Sequence, residues 1–170
     1  MPRIKMQRIG KDIRFQFPEI SAEIDQTVKE FEKIAVAEHA AVVKTWQHQP
    51  EFKARRYGWL VKGSHAISVQ VWTDDPVWRY VDEGTKPHPI RPKKRGGVLA
   101  FPSMFKPKTQ PRSLKSGAGA SGGPVVITQA VEHPGTEARN FSAMLQRKLD
   151  NLFGVMINNV FRKFGPRIFG

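Results

Sequence analysis

Cysteine is absent from this chain of 170 residues, so the protein forms no disulfide bond and offers no thiolate ligand to a metal ion. The sequence also lacks any run of about 18 apolar residues, which predicts that no helix spans a membrane. Residues 1–17 do not contain the apolar core of a signal peptide. We therefore expect a soluble protein that is made in the cytoplasm of the cell that produces it and has no membrane partner.

Acidic residues are missing from one long stretch in the middle of the chain. Residues 84–124 contain nine Lys and Arg residues and no Asp or Glu, within a chain whose net charge is +13. Such a positive field favours a polyanion such as DNA or an acidic protein surface, and charge alone does not distinguish the two. The candidate contact residues are Lys86, Arg91, Lys93, Lys94, Arg95, Lys106, Lys108, Arg112 and Lys115.

Residue groupings typical of enzymes and metal sites are also lacking. The carboxylates at 74–75 and 82–83 stand beside a proline or a glycine, where Asp commonly caps its own backbone in a turn. His88 and His133 have no second ligand at a metal-motif spacing. The glycine-rich tract 117–123 lacks the Lys-Ser/Thr pair of a phosphate-binding loop. We therefore predict that the protein is not an enzyme and uses no metal and no cofactor.

Two long segments carry apolar residues at every third or fourth position, which predicts amphipathic helices. The first begins near Pro18–Ser21 and ends before Pro50, and the second runs from about Glu137 to Phe164. The apolar face of the second helix is wider than one small sheet needs. We expect part of this face to contact another subunit, through Phe153, Ile157 and Phe161.

The region between the two helices is expected to form strands. Alternating residues on both sides of Gly63–Ser64 predict a hairpin, with Val69 and Val71 facing inward and Trp72 facing away as an interface candidate. Further strands are predicted at 77–81, 98–101 and 125–131. The order of these elements indicates an α+β fold, in which an antiparallel sheet of about four strands packs against a long N-terminal helix and a long C-terminal helix.

The predicted domain organisation is simple. Residues 1–17 form an N-terminal arm, and residues 18–170 form a single α+β domain. Within this domain, residues 102–124 are rich in Gly, Pro and basic residues, which predicts a long loop that is mobile in the free subunit.

Four segments resemble a known family, the small tail components of lambda-like siphophages. They are WRYVDEGT (78–85), KPHPIRPK (86–93), VLAF (98–101) and VEHPGTEARNF (131–141). The family includes tail-completion proteins of the minor tail protein Z kind. The chain departs from the family pattern at Asn140, where many relatives have proline, and in the length of the 102–124 loop.

The resemblance implies a structural virion protein, a tail-completion or head–tail joining (neck) component that forms a ring of six subunits. Its implied partners are copies of itself, the tail tube, head-connector proteins and the packaged DNA in the channel. A tail terminator is an alternative role within the same structure. The family brings no catalytic residues.

The residues suggest one expectation about assembly and one alternative function. Turns at Gly84–Thr85 and at 134–136 (Pro134, Gly135, Thr136) are expected to aim the neighbouring segments, so that valine at position 135 would disrupt assembly. The alternative function is that of a stand-alone protein that binds DNA independently of its sequence. Its monomer would bind duplex DNA and lose affinity steeply as salt rises.

Overall fold

The computed structural model describes residues 4–5, 18–61, 64–115, 117 and 119–168. Mixed helices and antiparallel strands confirm the predicted α+β class, with a long helix toward each end of the chain. The elements are β1 (Ile4–Lys5), α1 (Pro18–Val43), β2 (Lys53–Val61), β3 (Ser64–Trp72), α2 (Pro76–Asp82), β4 (His88–Ile90), β5 (Leu99–Lys106), β6 (Ala120–Thr128), β7 (Val131–His133) and α3 (Phe141–Ile168). No helix in this part of the chain is long and apolar enough to cross a membrane.

The residues group into two compact units. Unit 1 comprises residues 1–41, 51–74 and 142–170, and it contains most of α1 and α3 together with β2 and β3. Unit 2 comprises residues 42–50 and 75–141 and contains α2 and β4 to β7. Most of the predicted N-terminal arm lies outside the described residues. Its described part, β1, pairs with β3.

The core of unit 1 follows the helical periodicity of the sequence. The apolar stripe of α1 is buried as predicted, and Phe31 at its centre is fully inaccessible. The ring of Phe31 packs against Phe153 of α3, with the ring centroids 4.6 Å apart. Val69 and Val71 of β3 are buried as well, which confirms the predicted inward face of this strand. The other buried apolar residues of unit 1 are Ile20, Ile24, Val28, Ala35, Phe52, Leu145, Leu149, Ile157, Val160 and Phe164.

The wide apolar face of α3 is used largely inside unit 1. Phe153 and Ile157 are 5% and 6% exposed, so both belong to this core and not to its surface. Phe161 is half-buried. Trp72 is half-buried too, and the guanidinium of Arg55 lies 5.3 Å from the centre of its indole ring. Among the large apolar residues of α3 that the structure describes, Val155 is the one that is clearly exposed.

The strands divide into three small sheets instead of one. The first has the order β1-β3-β2, and the other two are the antiparallel pairs β4-β7 and β5-β6. In the β2-β3 hairpin Val61 pairs with Ser64, so the connection has two residues, the predicted length. The predicted turn pair was Gly63–Ser64, but Ser64 is already part of β3, and residues 62–63 lie outside the described part of the chain.

One predicted strand is wrong, because residues 77–81 belong to helix α2. The reason is local. The carboxylate of Asp75 accepts hydrogen bonds from the backbone N–H groups of Val77 (2.7 Å) and Trp78 (3.3 Å), which makes Asp75 the N-cap. Pro76 at the first helical position has its φ already set for a helix. A short apolar run does not by itself separate strand from helix, and here the cap decides.

The predicted long loop at 102–124 is also wrong at both of its ends. β5 continues to Lys106 and β6 begins at Ala120, and the two strands pair from Leu99↔Thr128 to Lys106↔Ala120. Backbone hydrogen bonding across this pair places even Gly122 in a strand. The segment between the strands is thereby reduced to residues 107–119.

Helix α3 begins later than the sequence indicated. The predicted start was near Glu137, but the backbone of the preceding residue, Thr136, is paired with Thr85. Asn140 has a φ of +58°, a left-handed conformation that a helix does not accommodate. The helix therefore starts at Phe141.

Candidate functional site

Unit 2 is built around a two-stranded ribbon, defined here as residues 85–106 paired with residues 120–136. The pairing begins at the Thr85↔Thr136 bridge, continues through β4-β7 and resumes in β5-β6. Ile90 is opposite Val131, and Leu99 is opposite Thr128. Between these pairs one strand has eight residues (91–98) and the other has two. Residues 91–98 therefore bulge out of the ladder and form an insertion.

The base of the ribbon is a backbone junction between two segments, residues 78–85 and residues 131–141. Thr85 N–H donates to the carbonyl of Thr136 (3.0 Å), and Thr136 N–H donates to the carbonyl of Thr85 (3.1 Å). The backbone N–H groups of Arg139 and Asn140 donate to the carbonyls of residues 81 and 82. The segments at 78–85 and 131–141 thus hold each other in place, although about 50 residues separate them in the sequence.

Two glycines make this junction possible. Gly84 has a φ of +76°, and a Cβ at this position would lie 2.5 Å from the carbonyl oxygen of Thr136. Gly135 has a φ of +90°, and a Cβ there would overlap the carbonyl oxygen of Thr85. Both the left-handed backbone and the close approach of two backbones require glycine. The expectation that these positions hold turns is consistent with this geometry, whereas their effect on assembly stays a prediction.

The basic residues predicted as contacts all belong to unit 2, and all nine are exposed. Among the residues that the structure describes, none of the nine takes part in an ion pair. Unit 1 differs in this respect. Its cations include four that pair with carboxylates: Lys53 with Asp74, Arg56 with Asp25, Lys148 with Glu38 and Lys163 with Glu23.

The insertion in the ribbon presents four of these cations. Gly97 N–H donates to the carbonyl of Lys94 (3.0 Å), which closes a tight turn with Gly96 at a φ of +76°. The turn is held by its backbone, so Lys93, Lys94 and Arg95 are not needed for its internal hydrogen bonds. Their side chains are exposed and available to a partner.

One face of the β5-β6 part of the ribbon is apolar and uncovered. Directly opposite residues on an antiparallel pair share a face, so Ala100 and Ile127 lie together with Pro102 and Val125. Val125 is 65% exposed and Ile127 is 68% exposed. On the opposite face, Leu99, Phe101 and Thr128 are half-buried. A contiguous apolar face of this kind is typical of an interaction site.

Unit 2 also contains a cavity of about 530 Å³. Its walls come from the segment after α1, from α2 and from the ends of β5 and β6. The lining includes Trp46, His48, Val77, Phe105 and Lys108. The ammonium of Lys108 donates to the carbonyl of residue 45 (2.8 Å), so this lysine also connects two segments of the cavity wall.

Trp46 of the cavity wall belongs to an aromatic cluster that the sequence pattern did not reveal. Trp46 lies within the segment predicted as the first helix, but α1 ends at Val43 and Trp46 follows it. Its indole lies 6.2 Å from the ring of Trp78, which in turn lies 5.5 Å from Phe141. Tertiary packing places these three rings together, and Trp78 and Phe141 are buried.

Asp75 connects the cavity wall to helix α2. One carboxylate oxygen caps the helix, and the other is hydrogen-bonded to the imidazole of His48. Burial acts to raise the pKa of this carboxyl, but the hydrogen bonds from His48 and from the backbone N–H groups of Val77 and Trp78 outweigh it. The pKa of Asp75 is therefore lowered from its ordinary value of 3.8.

Replacing Asp75 with alanine is expected to lower the free energy of unfolding by about 1 kcal/mol at pH 7, because the helix cap is lost. A carboxyl whose pKa is lowered by folding stabilises the protein above its unfolded-state pKa, and this stabilisation is lost as pH falls through the folded-state value. The difference between wild type and variant should therefore narrow between pH 5 and pH 3 in urea denaturation. Asp74→Ala is the control, since this carboxylate is 56% exposed and lies 3.9 Å from Lys53; its effect should stay below about 0.5 kcal/mol.

Two histidines that are distant in the sequence are neighbours in the ribbon. His88 pairs with His133 across β4-β7, and their ring centroids are 5.1 Å apart. The Nδ1 atom of His133 accepts from Gly135 N–H (3.0 Å), and that of His88 lies 2.8 Å from the carbonyl oxygen of Lys86. No group of three metal-binding side chains occurs among the described residues. The arrangement serves to hold the loops at the base of the ribbon.

Arg139 is a second residue that sequence reasoning missed. It is 7% exposed, and its Nε has no hydrogen-bond partner within the part of the chain that the structure describes. Its carbonyl accepts from the backbone N–H of Arg112 at 3.4 Å, so two arginines are neighbours at the base of the ribbon. Its position directly before the apolar stripe of α3 gave no signal that the guanidinium would be buried.

Comparison of the chain with known protein families, with curated proteins and with solved structures finds no match.

Proposed function

We propose that this chain is a structural subunit of a long-tailed bacteriophage, which forms a ring at tail completion or head–tail joining. The observation that carries the proposal is the uncovered apolar face formed by Ala100, Pro102, Val125 and Ile127. A two-stranded ribbon is only marginally stable in water on its own. A second copy or a neighbouring virion protein would cover this face and complete its packing.

The motifs that resemble siphophage tail components support the same role. Their glycines and threonines form the backbone junction at the base of the ribbon, where Gly84, Thr85, Gly135 and Thr136 meet. A structural subunit requires rigid connections of this kind between distant segments of its backbone. Tail completion, neck joining and tail termination share this requirement, and a tail terminator is the alternative within the proposal.

Charge gives the proposed assembly a characteristic salt dependence. A net charge of +13 on each subunit opposes association, and added salt screens this repulsion. Contact between apolar faces is not weakened by moderate salt. We therefore expect oligomers of this chain to become more stable as the salt concentration rises from 50 to 500 mM.

The double variant Val125→Lys/Ile127→Lys is expected to abolish oligomers, because it places two charges on the apolar face. Light scattering coupled to size-exclusion chromatography measures the effect, and a hexamer has six times the 19.3 kDa mass of the chain. Val155→Lys is the control, since Val155 is 57% exposed and belongs to α3, which is not part of the ribbon. It should leave the oligomer intact.

Two results would contradict the proposal. One is a wild-type chain that stays monomeric at every protein and salt concentration and is absent from purified virions. The other is normal head–tail joining, seen in micrographs, in phage made without this protein.

A further inference from the structure

We propose that the basic ribbon of unit 2 binds the phosphate backbone of duplex DNA. Residues 84–124 carry nine exposed cations and no carboxylate, and six of the nine cations lie on the ribbon itself. Unit 2 as a whole has twelve Lys and Arg residues against five Asp and Glu. DNA would be a ligand in addition to the neighbouring subunit, whose contact is proposed on the apolar face of β5-β6.

The absence of ion pairs is the first argument. Exposed lysines and arginines in unit 1 include four with a carboxylate partner in the same unit, whereas none of the nine cations within residues 84–124 has one among the described residues. Concentrated charge of one sign produces a field that attracts a polyanion and raises its rate of association.

The kind of cation is the second argument, and it separates nucleic acid from an acidic protein. Six of the nine residues are lysines. Lysine is depleted in protein–protein interfaces, whereas interfaces with DNA are much more positively charged and make most of their hydrogen bonds to phosphate and sugar. Residues 84–124 are rich in lysine and contain no carboxylate, which matches the second class.

The geometry of the insertion is the third argument. Residues 91–98 leave the ladder of the ribbon, and the turn at Lys94–Gly97 is closed by a backbone hydrogen bond. Arg91, Lys93, Lys94 and Arg95 are therefore concentrated on a short projection whose side chains are exposed. Such a projection can follow a phosphate backbone without reading the bases, so binding should be independent of sequence.

The exposed cations indicate a phosphate polymer whatever the role of the protein. The choice of duplex DNA among such polymers rests on the proposed virion role. A single subunit should bind weakly, and a ring that presents several ribbons to one duplex should bind much more tightly through multivalency. This expectation separates the inference from a stand-alone DNA-binding protein, whose monomer would bind tightly.

The test compares two triple variants that remove the same charge. Lys93→Gln/Lys94→Gln/Arg95→Gln changes the insertion, and Lys29→Gln/Lys33→Gln/Arg162→Gln changes three exposed cations of unit 1. Fluorescence anisotropy measures the binding of the full chain to a 30-base-pair DNA duplex and to an RNA duplex of equal length, between 50 and 200 mM salt. The oligomeric state of each sample is recorded by light scattering.

The insertion variant is expected to bind DNA at least about tenfold more weakly at 50 mM salt. The negative slope of log K against log salt should decrease in magnitude by about 2 to 3, since each phosphate that the protein no longer neutralises reduces this magnitude by about 0.9. The unit 1 variant should keep the wild-type slope. Equal weakening of both variants would show attraction by net charge alone and would overturn the inference. No binding by wild type at 50 mM salt would overturn it in favour of an acidic protein partner, and a tenfold preference for RNA would overturn the assignment to DNA.

These outcomes are separate from those of the proposed function. If the chain forms rings but does not bind DNA, the proposed ring is supported and the proposed DNA contact is contradicted. If the chain stays monomeric and binds DNA through the insertion, the proposed DNA contact is supported and the proposed ring is contradicted. The two activities also respond to salt in opposite directions, since salt favours the assembly of cationic subunits and weakens phosphate binding.

Discussion

Gly135→Val is expected to lower the free energy of unfolding by about 2–6 kcal/mol, one of the two largest single effects predicted for this chain. Backbone strain at a φ of +90° contributes about 1–3 kcal/mol, and the overlap with the carbonyl of Thr85 contributes a similar amount. The neighbouring backbone belongs to residues 85–87, so the added side chain cannot be accommodated by a change of rotamer. The paired threonine backbones must separate.

The matched control is Gly96→Val. Gly96 also has a positive φ, +76°, but a Cβ added to it meets no atom within 4 Å. Its cost should be the strain alone, about 1–3 kcal/mol. The difference between the two variants in urea denaturation therefore measures the close approach at the junction. Equal destabilisation, or a normal yield of oligomers from Gly135→Val, would show that the junction does not organise the ribbon.

Phe31→Ala is expected to lower the free energy of unfolding by about 3–5 kcal/mol, through the loss of buried apolar surface and the cavity that remains. Phe31 is fully buried at the centre of α1, and its ring contacts Phe153 of α3. The substitution removes an aromatic contact between the two long helices of unit 1. Chemical denaturation followed by helical circular dichroism measures the decrease in stability.

Val155→Ala is the control for this prediction, because Val155 lies on α3 and is 57% exposed. It should change stability by no more than about 0.5 kcal/mol. An effect of Phe31→Ala below about 1 kcal/mol would mean that the α1–α3 contact is not the centre of the core. The two large predictions concern different units, so Phe31→Ala reports on unit 1 and Gly135→Val reports on unit 2.

Periodicity predicted the elements whose pattern is long enough to be unambiguous. The stripe from Ile20 to Ala35 is buried on α1, and Val69 and Val71 are buried on β3. In both cases the spacing of apolar residues matches only one regular structure over several repeats. Short runs carry no such information, and residues 77–81 became a helix because Asp75 caps it.

The candidate site was predictable as a list of residues and not as an arrangement. The nine cations and the glycines at 84 and 135 are visible in the sequence, since charge and glycine-containing turns are local properties. The pairing of His88 with His133 and the burial of Arg139 are not local. Each depends on a partner segment tens of residues away, and residue type alone does not identify that partner.

The sequence by itself determined the α+β class, the two long helices, the β2-β3 hairpin and the basic middle segment. All of these follow from spacing or charge within one stretch of chain. Only the tertiary structure decided that residues 102–106 and 120–124 are strands, that the Gly-Thr segments at 84–85 and 135–136 meet, and that Val125 and Ile127 are left uncovered. Strand pairing depends on backbone hydrogen bonds between distant segments, and these bonds form with almost any residue, so composition rich in glycine and proline did not prevent them.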